Sequence, residues 1–96
     1  MRKRVIIKST IKEGVFDRLI PFLEKNLPNV RGFSGCLKVT VLSDSDSASM
    51  IFDEEWLSTE HHLNYLESIK NNGVMDELVS YLESRPEVNY YDQLDL

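Results

Sequence analysis

Runs of alternating apolar and polar residues, separated by runs with apolar residues at three- and four-residue spacing, divide this chain into six parts. Val5 to Lys12 (VIIKSTIK) is β-branched and loosely alternating, which predicts a strand. After Glu13-Gly14, the residues Phe16, Leu19, Ile20, Leu23, Leu27 and Val30 mark one face of a helix. Pro21 and Pro28 fall inside that pattern, and each removes a backbone donor, so a kinked or segmented helix is expected. Arg31 to Gly35 is a turn-rich break, and Cys36 to Leu42 (CLKVTVL) reads as a second strand. The polar stretch Ser43 to Ser49 reads as a hairpin connection into a third strand, Ser49 to Trp56. Ser58 is a good helix N-cap ahead of Leu63, Leu66 and Ile69. Asn71-Asn72-Gly73 breaks that helix, and Val74, Leu78, Val79, Tyr81 and Leu82 begin another run, stopped by Arg85-Pro86. Val88 to Leu96 reads as a final strand.

The order is β-α-β-β-α-β with the second helix in two pieces, the split-βαβ pattern of an α+β, ferredoxin-like fold with an antiparallel sheet. The whole chain, residues 1–96, reads as one domain. Strand alternation puts Val5, Ile7 and Ile11 on one face with Met50, Phe52, Trp56, Val88, Tyr90, Leu94 and Leu96. Helices can cover only one face. The other carries Ile6, Ile51, Leu42 and Tyr91 among Lys8, Thr10, Thr40, Asp53 and Glu55. A half-apolar sheet face suits a second sheet, so a homodimer is expected.

Charge and cysteine usage narrow the function. The net charge of −5 argues against nucleic acid as a partner. The basic start, Met1 to Arg4, runs directly into the first strand and reads as a solvated leader rather than a signal peptide. No stretch approaches the length of a membrane span, so no membrane partner is expected. Cys36 is the only cysteine, which rules out an intrachain disulfide, makes a thiolate metal site improbable and fits a cytoplasmic location.

Candidate chemistry concentrates in DEEWLSTEHHLNYL, residues 53–66. Glu54 shares a strand face with Met50, Phe52 and Trp56. An inward acid there would be desolvated, with a raised pKa suited to a general base; the plainer reading pairs it with a cation or leaves it at a wet edge. Trp56 reads first as a core anchor and second as a pocket wall, two roles that overlap. His61 and His62 point about 100° apart on a helix and cannot share a metal as an i, i+4 pair does. His62 with Tyr65, three residues on, is the preferred inward polar pair. Asp44, Asp46, Ile51 and Glu55 follow the spacing of a calcium loop. Ala48 and Ser49 stand where such a loop needs a ligand and a glycine, so no metal is expected.

RGFSGC (31–36), DEEWLSTEHHLNYL (53–66), NNG (71–73) and RPEVNYYD (85–92), in that order and spacing, make the chain resemble the antibiotic biosynthesis monooxygenase family of dimeric α+β barrels. The resemblance spans essentially the whole chain. It implies a homodimer whose protomers each hold a pocket between sheet and helices. Some members oxidise quinol- or anthrone-like aromatics with O₂ and no cofactor, others degrade haem or isomerise small molecules, and some have no known activity. In the haem-degrading branch a Trp stands where Trp56 is, an Asn near Ile7, and a His ligand near Asp76 and Glu77, so two of its three residues are missing here. In similar oxygenases an Asn stands where this chain has Phe52, an aromatic hydroxyl where it has His62, and a basic residue near Asp76. The expected function is a cofactor-independent monooxygenase acting on a hydroxylated aromatic or quinol. Trp56, Phe52, Met50 and Ile7 would bind the substrate, and His62, Glu54 and Tyr65 would handle protons. The alternatives are a dimeric module that binds a small ligand without chemistry, and a non-oxidative isomerase.

Overall fold

The computed structural model describes residues 2–96, with Met1 outside them. Its elements run β1 (Lys3–Thr10), α1 (Phe16–Arg31), β2 (Cys36–Ser43), β3 (Ser49–Trp56), α2 (Thr59–Asn71), α3 (Val74–Ser80) and β4 (Glu87–Tyr91). The strands form one antiparallel sheet in the order β2-β3-β1-β4. Together with the helices on one face, this is the ferredoxin-like α+β fold expected from the alternation. Val5, Ile7, Met50, Phe52 and Trp56 are buried on the helix-facing side. Register stacks the chain in cross-strand rows: Val5 pairs with both Glu54 and Tyr90, and Ile7 pairs with both Phe52 and Val88.

Several boundaries differ from the sequence reading. The first strand starts earlier and ends at Thr10, while Ile11 makes an isolated bridge to Leu82. Lys3 and Arg4 are therefore sheet residues, not a solvated leader. Arg4 makes a two-pronged bond to Asp53 across the outer face, with its Nη2 at 2.6 and 2.8 Å from the two oxygens, and Lys3 reaches Asp92 at 2.6 Å. The last strand stops at Tyr91, so Leu94 and Leu96 are exposed beyond it rather than part of the core.

The first helix is neither segmented nor interrupted, although both prolines lie inside it. An interior proline costs roughly 3 kcal/mol. Burial of Leu19, Phe22, Leu23 and Val30 against the sheet offsets this, at about 1.5–3 kcal/mol per side chain. The buried face takes Phe22 and leaves Ile20 outside. Ser58 caps α2 as its position suggests, its hydroxyl accepting the His61 N–H at 3.1 Å. The hairpin loop is closed by Asp44, whose carboxylate accepts the N–H groups of Ala48 and Ser49. Among the described residues no helix is long and apolar enough to cross a membrane, and no group of three or more His, Cys, Asp or Glu is placed to hold a metal ion.

Candidate functional site

The inner face of α2 keeps Leu66 and Ile69, as the spacing expects, and takes His62 as the inward polar residue, while Leu63 is left outside. Amphipathic spacing expects Leu63 inside, yet Leu63 is 51% exposed, while His62 beside it is 0% exposed. Burying an imidazole in place of a leucine forfeits apolar burial and demands hydrogen-bond partners for two nitrogens. His62 finds one. Its Nδ1 lies 2.8 Å from the Tyr90 hydroxyl of β4. Among the described residues its Nε2 has no hydrogen-bond partner; it faces Glu54 Oε1 at 3.7 Å, beyond bonding reach.

Glu54 is itself 4% exposed. Its Oε1 accepts the Trp56 indole N–H at 2.8 Å, a contact set by the two-residue strand period that puts both side chains on one face. Burial raises the Glu54 pKa to about 7; the Trp56 bond opposes this shift and the charge of Asp53 adds to it. Burial lowers the His62 pKa to about 4. Between these values the carboxyl rather than the imidazole holds the proton, and the pair is uncharged. This is a carboxyl group poised to take up or release a proton near neutrality.

Above this row, α1, α2 and α3 arch over the sheet and leave a cavity of about 190 Å³. Ile7, Phe52, Glu54 and Val88 form its floor, and Tyr65 stands in its wall. Its lining is mainly apolar, with Asn26 and Arg85 as the other polar groups. Burial raises the Tyr65 pKa to about 12, so the phenol stays protonated. Its ring packs on Trp56 and edge-on to Phe33.

The expected site residues therefore divide. Ile7, Phe52, Glu54 and Tyr65 line the cavity. Trp56 and His62 stand behind Glu54 and touch its carboxyl rather than the cavity, and Met50 lies in the core. His62 and Tyr65 share a helix face, but the hydroxyl His62 meets belongs to Tyr90. His61 turns away, its Nδ1 2.7 Å from Ser58 Oγ and its ring laid over Gly35. Nothing in the sequence singles out Tyr90, which reads as one more inward residue of the last strand. Asn26 is likewise hidden in a helix pattern, and Arg85 reads as part of a helix stop.

Comparison with known proteins follows the same lines. A model of the antibiotic biosynthesis monooxygenase family matches residues 3–70. No curated protein matches the sequence. Solved structures share the fold at low identity. A conserved protein from Methanosarcina mazei superposes with a TM-score of 0.86 at 17% identity, covering 98% of this chain and 94% of its own. Rv0793 from Mycobacterium tuberculosis gives 0.84 at 16% identity, covering 100% and 98%. The monooxygenase of the gene ActVA-Orf6 from Streptomyces coelicolor, in complex with nanaomycin D, gives 0.79 at 13% identity, covering 98% and 88%.

Proposed function

The chain belongs to the antibiotic biosynthesis monooxygenase family, and from that premise we propose that its cavity oxygenates a hydroxylated aromatic or quinol-type small molecule without a cofactor. The observation that carries this reading is Glu54: an acid at the floor of an apolar cavity, 4% exposed, with a pKa near 7. In this reading Glu54 removes the phenolic proton. The resulting anion is electron-rich at ring carbon and reacts directly with O₂. For a phenol bearing hydrogen at the reacting carbon, the hydroperoxide formed there loses water to give the quinone. One oxygen atom enters the product and the other leaves as water, and the substrate supplies all four electrons. The protein contributes the base, orientation and a site shielded from water. The cavity is smaller than the roughly 300–1,000 Å³ of common ligand pockets, which favours a compact ring system. A structural relative's complex with nanaomycin D supports an organic ligand in this fold.

The outer sheet face supports a homodimer as the working form. Leu42 is 49% and Tyr91 52% exposed there, beside Ile6 and Ile51.

A second reading, ligand binding without turnover, is favoured by Phe52, an inert side chain on the floor beside Glu54. Oxygen uptake by metal-free protein, tested against hydroquinones, anthrones and catechols and corrected for autoxidation, separates the two. Saturable uptake lost in Glu54→Gln supports the monooxygenase. Thermal stabilisation by the same compounds without uptake supports the binding module. Turnover under nitrogen supports an isomerase.

A further inference from the structure

We propose that His62 and Tyr90 form the proton exit from Glu54, moving a proton by tautomer exchange through a neutral imidazole. The proposal rests on reading Glu54 as the base, because a base that has taken a proton must lose it before the next turnover.

The geometry supplies both ends of the path. Glu54 and Tyr90 flank Val5 in one cross-strand row, and His62 reaches over that row from α2. Nδ1 contacts the Tyr90 hydroxyl at 2.8 Å and Nε2 faces Glu54 Oε1 at 3.7 Å. A shift of less than about 1 Å closes the second gap to hydrogen-bond distance. The Trp56 N–H that bonds the Glu54 carboxyl is a donor only and cannot accept a proton. With a ligand filling the cavity, His62 is the group left to receive it. His62 and Glu54 are buried, while Tyr90 is half-buried and provides the outward end.

The step balances. When Glu54 is protonated, its O–H donates to Nε2, Nδ1–H donates to the Tyr90 oxygen, and the Tyr90 O–H donates outward to water. Three protons then shift together: from Glu54 to Nε2, from Nδ1 to Tyr90, and from Tyr90 to water. Glu54 is left as a carboxylate facing Nε2–H, and Tyr90 O–H now donates to Nδ1. One proton has left the protein and no imidazolium has formed; His62 returns to its Nδ1–H tautomer before it can accept the next proton from Glu54. This explains an otherwise costly feature, a fully buried imidazole nitrogen without a partner among the described residues. The titratable groups packed around the pair are Cys36 from β2, Tyr65 from α2 and Tyr90 from β4. Burial raises the pKa of all three, so they stay neutral near pH 7. Asp53 points to the opposite face and is held by Arg4.

The test is imidazole ¹⁵N NMR of the full chain between pH 5 and 8.5. The expected result is a neutral His62 that changes from the Nδ1–H to the Nε2–H tautomer as Glu54 ionises, a change absent in Glu54→Gln. A His62 fixed in one tautomer, or one that becomes an imidazolium as Glu54 ionises, overturns the proposal. Tyr90→Phe is expected to lower kcat about a hundredfold with KM unchanged, the lower end of proton-transfer effects; an unchanged kcat also overturns it. The NMR arm needs no substrate. A tautomer change without oxygen uptake keeps the relay and removes the oxygenase reading, whereas uptake without a tautomer change does the reverse.

Discussion

Glu54 and His62 face each other across 3.7 Å in the interior, both pushed toward their neutral forms by burial. Their opposite shifts have a consequence for stability. Glu54, raised from 4.5 to about 7, contributes stability that is full below pH 4.5 and is lost as pH rises to about 7. His62, lowered from 6.5 to about 4, costs stability as pH falls from 6.5 to about 4. Between pH 4.5 and 6.5 the folded and unfolded states then bind equal numbers of protons at these sites, and the slopes cancel. Glu54→Gln exposes the histidine alone. Its urea-unfolding free energy is expected to rise by about 3 kcal/mol from pH 4 to 6.5 relative to wild type. An identical pH dependence in both proteins would contradict the shifts.

His62→Leu puts an apolar side chain on the inner face of α2 and removes a buried nitrogen that lacks a partner among the described residues. At pH 5 the variant also escapes a protonation penalty of about 2 kcal/mol. Its thermal midpoint at pH 5 is expected to exceed that of wild type while turnover falls. A lower midpoint at that pH would show that the imidazole contributes more to packing than its orphaned nitrogen costs.

Trp56→Phe removes the one hydrogen bond that holds the Glu54 pKa down. The midpoint of the pH–rate profile should move upward from about 7. Stability should fall by about 1–3 kcal/mol through the lost bond and the smaller ring. A downward or absent shift of the midpoint would separate Trp56 from the control of Glu54.

Gly35 has a φ of +89°, and a methyl group added there would overlap the side chain of His61. Gly35→Ala is expected to destabilise the protein by about 1–3 kcal/mol. Removing the ring in the Gly35→Ala/His61→Ala double variant should recover part of that loss, measured by denaturant unfolding. No recovery would place the whole cost in the backbone.

The outer face makes a prediction of its own. Light scattering should return twice the mass of the chain, and Ile51→Glu, in the half-buried centre of that face, should return the monomer. A monomeric wild type would leave the apolar residues of this face without a partner.

Much of this arrangement is legible in the sequence because strands declare their faces. Alternation alone puts Met50, Phe52, Glu54 and Trp56 on one side, and they are all buried there. Helix faces are less sharply legible. His62 lies inward, as its spacing to Tyr65 suggests, but Leu63 is left outside the face its spacing to Leu66 and Ile69 predicts, and the hydroxyl that meets His62 is Tyr90's. The continuity of α1 through two prolines is likewise a matter of packing against the sheet, which local spacing does not report. Tyr90 is invisible as a site residue because its importance comes from strand register. It lies two strands from Glu54, across Val5, and no short-range motif links the two.

Glu54 acts in this proposal as a base working near neutrality. The most direct measurement is the pH dependence of substrate-saturated oxygen uptake between pH 5 and 9, for wild type and Glu54→Gln, using a hydroquinone that wild type consumes. Uptake by the wild type should rise with pH through a midpoint near 7, as the carboxyl ionises, and the variant should stay at the autoxidation background throughout. A variant that keeps the wild-type rate and profile would contradict the claim.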